Sequence, residues 1–515
     1  MFRIKFLSLI SCLLTTVSPL TAQQIVWDRT NVDAWKGERI GLKAEVINVT
    51  DGEELTLSVS CDILGVSATW LGYVITDDFK TCGKHPDNIP PYLVADRITK
   101  DKTAIMGKEA SRSTVNNQQS TEVSSVSNVS STQNIDMTLL KKSSSFWVTV
   151  EVPRNTTVGK HDINIALKNK NGNIVATSNT YINVQDSLLP EPKDYKFHLD
   201  LWQQPYAVSR YYRVKPWSKA HIDLLRTYAK MLARAGQKVV STILFYEPWG
   251  EQSNDKFEPM VTTTKTKDGK WKYDYAIFDK WVSLMGEYGI DQQIDCYSMI
   301  PWDMSFRYWD EKTKKYAYIK TTVSSDEYKE LWTDFLIHFA DHLKKKGWFE
   351  KTCIAMDERG LKDMLTAYDI AQKAVPGLKM ALAGNYHKEL VNLLQDYSLF
   401  YGQKISNEEL RQRREQGKTT TFYTCCSNET PNLFSNSAPE EATSIPIYCY
   451  EHGFDGYLHW SWMNWTDNPE TDTRFKLFPP GDTYFIYPEG CSSVRFEKLI
   501  EGIQQYEKIQ IRNNK

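Results

Sequence analysis

Two adjacent carboxylates, Asp357 and Glu358, are the residues of this chain whose types and spacing point most directly to chemistry. They follow an apolar run, residues 352–356, that predicts a buried strand. The carboxyl ends of such strands are where barrel and open α/β enzymes place their catalytic groups. A helix N-terminus also favours acids, and the residues after Arg359 predict a helix. As a catalytic pair, the two acids suit hydrolysis of a glycosidic bond in which the substrate supplies its own nucleophile.

The ends of the other predicted strands carry aromatic and amide side chains. Flat aromatic faces stack on pyranose rings, and amides hydrogen-bond to sugar hydroxyls. Each aromatic taken singly is more often a packing residue, but together they predict a sugar-binding opening at one end of the fold. The candidate substrate-binding residues are Trp202, Tyr297, Trp302, Asn385, Tyr386, Trp460 and Trp462.

Glu247 follows the second predicted strand and has two interpretations. With Glu358 it could form the nucleophile and acid pair of an ordinary retaining glycosidase. It could equally be a loop acid that pairs with a cation at the surface. The residues alone leave both open.

From residue 191 to 515 the chain repeats strand, loop and helix, which predicts a (β/α)8 TIM-type barrel. A helix is expected between the first two strands, with Ser218 as its N-cap and Gly236 as its stop. A doubly wound open sheet is the alternative fold, but no glycine-rich phosphate loop follows the first strand. The predicted strands are 197–202, 238–246, 291–298, 351–356, 379–384, 398–402, 419–425 and 454–460.

Residues 25–190 have a different pattern, in which apolar and polar residues alternate with a period of two. This alternation, with an Asn171-Gly172 hairpin turn, predicts an antiparallel β-sandwich domain in front of the barrel. A stretch rich in Ser, Asn and Gln, residues 103–133, is expected to be a mobile loop. We expect the sandwich to support the barrel rather than to bind sugar itself.

The composition favours a neutral partner. The 62 basic and 64 acidic residues give a formal charge of −2, which offers no general attraction to nucleic acid or to a membrane surface. The chain has 16 Trp, 28 Tyr and 20 Phe, a content that suits a carbohydrate cleft as well as a large core. Nine scattered histidines and the lack of a CxxC spacing predict no metal site and no cofactor.

The N-terminus predicts export. Arg3 and Lys5 precede an apolar stretch, and residues 1–22 resemble a signal peptide cut after Ala22. A lipoprotein site at Cys12 is the alternative, so the expected location is periplasmic or at the cell surface. No other stretch is long enough to span a bilayer.

Eight cysteines remain after a cut at Ala22, and an exported chain permits disulfides. Cys61 and Cys82 are the expected pair, since both lie in the sandwich. Cys491 is left unassigned. Apolar contexts predict buried thiols at Cys296, Cys353, Cys425, Cys426 and Cys449.

Several ordered motifs toward the C-terminus resemble glycoside hydrolase family 123. They are Trp460-Ser461-Trp462-Met463-Asn464-Trp465-Thr466-Asp467-Asn468-Pro469, Pro480-Gly481-Asp482-Thr483, Ser492-Ser493-Val494-Arg495-Phe496-Glu497 and Glu501-Gly502-Ile503-Gln504-Gln505-Tyr506-Glu507. The resemblance implies a sandwich before a barrel, and an exo-β-N-acetylgalactosaminidase. Asp482 is added as a residue that binds a sugar hydroxyl or braces its loop, and Arg495 with Glu497 as a structural ion pair.

The resemblance also implies roles for the two acids. Glu358 would be the general acid and base, and Asp357 would orient the 2-acetamido group of the substrate for attack on the anomeric carbon. The intermediate would be an oxazoline or oxazolinium, with retention of configuration and with a glycan ending in β-linked N-acetylgalactosamine as substrate. Two alternatives remain: a retaining glycosidase of other specificity that uses Glu247 as nucleophile, and a non-catalytic glycan-binding protein.

Overall fold

The computed structural model describes residues 23–63, 65–86, 88–106 and 143–513. The expected signal peptide, with Cys12, lies outside the described residues, and so does the part of the expected mobile loop after residue 106. At its start that loop prediction is wrong, because Thr103–Ile105 form a strand that pairs with residues 54–56.

The first part of the chain forms two sheets around one hydrophobic core. Its strands are β1 (Gln24–Trp27), β2 (Val32–Lys36), β3 (Arg39–Ile47), β4 (Glu54–Ser60), β5 (Val66–Thr76), β6 (Tyr92–Ile98), β7 (Thr103–Ile105), β8 (Ser143–Glu151), β9 (Gly159–Asn169) and β10 (Ile174–Leu188). One sheet has the order β1-β3-β8-β5-β6, and the other β2-β10-β9-β4-β7. The turn at Gly172 joins β9 to β10 as predicted. The sheets are not purely antiparallel, because β2 and β10 run parallel.

The second part alternates strands and helices. Its strands are β11 (His198–Leu201), β12 (Val239–Ile243), β13 (Thr262–Lys265), β14 (Trp271–Asp274), β15 (Gln293–Tyr297), β16 (Ser305–Asp310), β17 (Lys315–Lys320), β18 (Thr352–Asp357), β19 (Lys379–Gly384), β20 (Asp396–Phe400), β21 (Thr419–Tyr423), β22 (Gly456–His459) and β23 (Ser492–Ser493). The helices are α1 (Pro205–Tyr211), α2 (Lys219–Ala235), α3 (Ala276–Gly286), α4 (Asp326–Lys346), α5 (Leu361–Ala374), α6 (Asn407–Glu415), α7 (Pro439–His452) and α8 (Val494–Asn513). Among the described residues, no helix has the length and apolar character needed to cross a membrane.

Eight parallel strands form a nearly closed barrel in the order β11-β22-β21-β20-β19-β18-β15-β12. The last gap is bridged where Lys238 N donates to Leu199 O at 3.0 Å. These strands are the eight that the sequence predicts, and α2 begins and ends at the predicted caps, Ser218 and Gly236. The helical layer is less regular, because β19 is followed by a 3-10 turn at Lys388–Leu390 instead of an α-helix. Strands β13, β14, β16 and β17 form a separate small sheet inserted after β12 and β15.

Helix α8 fastens the two parts together. Its Arg495 Nε donates to Asp96 Oδ2 at 3.0 Å, and β23 just before it pairs with β6. Glu497 accepts from Arg39 at 2.7 Å and from Arg234 at 3.0 Å. Burial opposes the charge of Glu497, but the two guanidinium groups hold its pKa down to about 2. Arg495 and Glu497 therefore pair with other residues, not with each other as predicted.

The disulfide prediction is wrong. Cys82 bonds to Cys426, and Cys61 is free. The bond joins the first part of the chain to the loop after β21, across 344 residues of sequence. Cys426 is therefore not the buried thiol that its apolar context predicts.

Charged and amide groups lie inside the barrel. Gln293 Nε2 donates to Asp295 Oδ1 at 2.9 Å and to Asp396 Oδ2 at 2.8 Å, and His198 Nε2 lies 3.3 Å from Asp396. Burial raises the pKa of Asp295 well above its usual range and that of Asp200 to about 7, and the neighbouring carboxylates add to both shifts. Both acids are therefore favoured in the protonated form.

The unfolding free energy should fall as the pH rises from about 5.5 to 8, because the folded protein binds these protons more tightly than the unfolded chain. The stabilisation is complete below the unfolded pKa and is lost as the pH rises through the raised folded values, at about 1.4 kcal/mol per pKa unit. Asp295→Asn, which mimics the neutral acid, should flatten the pH dependence of Tm. The exposed Asp341→Asn is the matched control. A wild-type Tm that increases over this range would contradict the assignment.

Candidate active site

Asp357 ends β18, and Glu358 turns the chain away from the sheet. The backbone of Glu358 is left-handed, with φ +50°, and its N–H donates to Ala383 O at 2.7 Å. Neighbouring side chains of a regular strand point to opposite faces, and this turn breaks that alternation. A non-glycine residue in this conformation stores strain, a feature that clusters at functional sites.

Asp357 is half-buried among aromatic side chains. Burial is the main cause that raises its pKa to about 7, and the charge of Glu358 is the second. Arg359 and hydrogen bonds from the indoles of Trp302 and Trp249 oppose the shift. Asp357 can therefore change its charge near neutral pH, and it is poised to accept a hydrogen bond when ionised.

Glu358 is exposed, and one partner orients its carboxylate. The hydroxyl of Tyr423, at the end of β21, donates to Glu358 Oε1 at 2.9 Å. Burial, with the charges of both acids, raises the pKa of Tyr423, so the phenol stays a donor. The sequence analysis missed this residue, although its place at a strand end was the available signal.

Removal of the Tyr423 hydroxyl should lower kcat/KM by about 10- to 100-fold, since hydrogen bonds to charged groups contribute about 1.5–3 kcal/mol. Tyr423→Phe keeps the ring and its packing, so Tm should change little. Tyr401→Phe, a half-buried tyrosine beyond the neighbouring strand β20, is the control. Equal kinetics for both variants would show that Tyr423 does not act through Glu358.

Aromatic rings form a wall beside the acids. Trp202 stacks on Trp249 with centroids 5.2 Å apart, and Tyr297 lies 4.5 Å from Trp202. These three side chains are nearly buried, whereas Trp302 is 44% exposed, with the Arg359 guanidinium 4.3 Å above its ring. The structure thus brings Trp202, Tyr297 and Trp302 together, as the sequence predicts, and adds Trp249 to the wall.

Trp460 lies at the end of β22, and it lines a small cavity with Trp202 and Trp249. Its indole Nε1 donates to Asp482 Oδ2 at 3.0 Å, and His459 Nε2 lies 3.3 Å from the other oxygen of Asp482. Asp482 is fully buried, so it holds Trp460 from behind. Of the two roles considered for Asp482, the structure supports the bracing one.

Three other candidates lie apart from this wall. Trp462 is fully buried and packs against Tyr228 and Phe496, so it belongs to the core and not to the opening. The Tyr386 hydroxyl donates to Glu409 of α6 at 2.7 Å, which directs it toward the helical layer. Asn385 is exposed at the end of β19.

Glu247 is half-buried and braces its own loop. Its N–H donates to Phe257 O at 2.9 Å, and the Phe257 N–H donates to Glu247 Oε2 at 3.0 Å. Burial raises its pKa to about 7. The residue is left-handed, with φ +53°, and Ser298 after β15 has φ +123°. Left-handed residues therefore follow three adjacent barrel strands, β12, β15 and β18.

Within the described ranges, the one group of side chains close enough to share a metal ion is Cys82, Cys425 and Cys426. A disulfide already joins two of these three sulfur atoms. We therefore assign no metal ligands here.

A pair of acids at the carboxyl end of a barrel strand, beside a wall of indoles, defines a site of the glycosidase class. The catalytic-domain model of glycoside hydrolase 123 matches residues 202–512, and the model of the N-terminal domain of glycoside hydrolase 123 matches residues 19–169. The chain belongs to glycoside hydrolase family 123.

Solved structures agree with this assignment. A family 123 glycoside hydrolase from Clostridium perfringens, described in connection with glycolipid glycan hydrolysis, is 25% identical, with a TM-score of 0.82 over 95% of this chain and 88% of that one. A Parabacteroides merdae β-glucuronidase is 9% identical and covers 94% of this chain and 52% of that chain. Its TM-score of 0.31 carries no argument. No curated protein matches the chain.

Proposed function

We propose that this glycosidase removes terminal β-linked N-acetylgalactosamine from glycans by substrate-assisted catalysis on a TIM-type barrel. The observation that carries the proposal is the environment of the two adjacent acids. Asp357 is half-buried beside indoles, whereas Glu358 is exposed and held by Tyr423. An acid near the solvent can exchange protons with the leaving group and with water, and a sheltered one can hold a single polar group of the sugar.

The first step would break the glycosidic bond without an enzyme nucleophile. Ionised Asp357 accepts the acetamido N–H, the acetamido carbonyl oxygen attacks the anomeric carbon, and Glu358 protonates the departing oxygen. In the second step the Glu358 carboxylate takes a proton from water, which opens the oxazolinium ring. Both displacements occur at the same carbon, so the configuration is retained.

The sugar ring itself would lie against the aromatic wall. Trp302 is the exposed member, and Trp202 with Trp249 forms the packed layer behind it. Trp460, braced by Asp482, closes the other side. The galacto preference rests on membership of the family, and the glycolipid glycan hydrolysis described for the Clostridium perfringens relative suggests cell-surface glycans as a source of substrate. An exported enzyme, as residues 1–22 suggest, would meet such glycans.

Release of nitrophenol from three β-glycosides tests the proposal. The β-N-acetylgalactosaminide should be turned over, the β-N-acetylglucosaminide much more slowly, and the β-galactoside hardly at all, because its sugar has no acetamido group. Equal turnover of the β-galactoside would overturn the substrate-assisted mechanism. A stable mass adduct at Glu247 with a fluorinated glycoside would establish the alternative nucleophile. Binding of the glycan without turnover of any substrate would favour the glycan-binding alternative.

A further inference from the structure

A segment of the sandwich reaches the rim of the barrel. Residues 75–86, called here the rim segment, lie along the barrel loop 471–478. Ile75 N donates to Thr471 O at 2.8 Å, and Thr473 N donates back to Ile75 O at 3.0 Å. Farther along, Gly83 N donates to Leu477 O at 3.0 Å. The first part of the chain is thus built into the rim of the sugar site, which is more than general support.

This contact extends to the wall of the site. Phe478, at the end of the barrel loop, packs against Trp460 with ring centroids 4.9 Å apart. On the other side, Cys82 of the rim segment is bonded to Cys426, three residues after Tyr423. The rim segment is therefore tied both to the ring that closes the cavity and to the strand end that orients Glu358.

A third sulfur atom lies beside this disulfide. The sulfur atoms of Cys82, Cys425 and Cys426 are all within 4.8 Å of one another. Cys425 is half-buried, packs against the aromatic wall, and has its Sγ 3.1 Å from Ser427 Oγ. Burial raises the pKa of Cys425 to about 11, and the charges of Asp482 and Glu358 add to the shift, so the group is held as a thiol. A thiol kept next to a disulfide is placed for exchange, and its protonation keeps that exchange slow.

We propose that Cys82, Cys425 and Cys426 form a redox-responsive clamp at the rim of the sugar site, in which Cys425 is a second partner for Cys82. In the exchange, Cys425 loses its proton to water and its sulfur attacks Cys82 Sγ. The Cys82–Cys426 bond breaks, and Cys426 leaves as a thiolate that takes a proton from water. One disulfide is formed and one is broken, so no oxidant or reductant is consumed. A reductant opens the clamp in either form, which loosens the rim segment and the end of β21.

Peptide mapping of the oxidised full-length protein, alkylated without reductant, tests the pairing. Cys426→Ser should form a Cys82–Cys425 disulfide, and Cys425→Ser should keep Cys82–Cys426. The wild type in a glutathione buffer should yield both linked peptides, with Cys82–Cys426 the more abundant. If Cys82 is alkylated in Cys426→Ser, and if the wild type contains only Cys82–Cys426, the exchange partner is wrong. The wild-type measurement keeps the test valid if the serine variant folds poorly.

Kinetics test the clamp with whichever glycoside the enzyme turns over, so this result does not depend on the galacto assignment. Full reduction of the wild type should lower kcat/KM several-fold. Cys82→Ser should show the lowered value with or without reductant. Cys61→Ser, which removes a free thiol elsewhere in the sandwich, should respond like the wild type. Unchanged kinetics after complete reduction, verified by alkylation, would overturn the clamp.

Discussion

Glu358→Gln should lower kcat/KM on natural glycans by about 10²- to 10⁴-fold, because the glutamine amide cannot protonate the departing sugar oxygen. The loss should be much smaller on nitrophenyl glycosides, whose leaving group departs without a proton. The side chain is exposed and glutamine has nearly the same shape, so the variant should fold normally. Steady-state kinetics on both substrate types, with Tm as a measure of folding, provides the comparison.

Glu489→Gln is a matched control for this variant. Glu489 is also exposed and also left-handed, with φ +61°, but it lies in the loop before β23 and not beside the aromatic wall. Its replacement should leave both activities unchanged. Full activity of Glu358→Gln on natural glycans would remove Glu358 from the mechanism.

The barrel strands could be predicted because each is a short apolar run buried on both faces. The acid pair was equally visible, since two charges that follow such a run need a polar pocket. Its partner Tyr423 was not, because the hydrogen bond joins strand ends 65 residues apart in sequence. The Cys82–Cys426 bond was missed for the same reason, since it depends on how the sandwich lies against the barrel.

Trp460 and Trp462 show where pattern reasoning fails. Both follow β22 with a spacing of two, which in a strand would place them on one face. The strand ends at His459, however, and Trp462 N donates to Trp202 O at 3.0 Å in the next turn of the chain. Regular alternation no longer applies there, so Trp460 lines the cavity and Trp462 enters the core.

The pH dependence of kcat/KM should report the ionisation of Asp357. The proposed mechanism requires the ionised acid, and its pKa is about 7 in the free enzyme. Below that pH the protonated form dominates, so kcat/KM should fall about tenfold for each further pH unit. Because the charge of Glu358 contributes to the raised pKa, Glu358→Gln should move this acid limb to lower pH. A limb that stays in place would show that burial alone sets the value.

Asp357→Asn should lower kcat/KM by about 10²- to 10³-fold at neutral pH, and the acid limb should disappear with it. Asparagine still offers an oxygen to the acetamido N–H, but it carries no negative charge to stabilise the cationic oxazolinium. Asp363→Asn, an exposed acid on α5 six residues away, should keep the wild-type rate and pH profile. If Asp357→Asn instead retained the wild-type rate and profile, the acetamido group would have no charged partner here, and Glu247 would become the first candidate nucleophile.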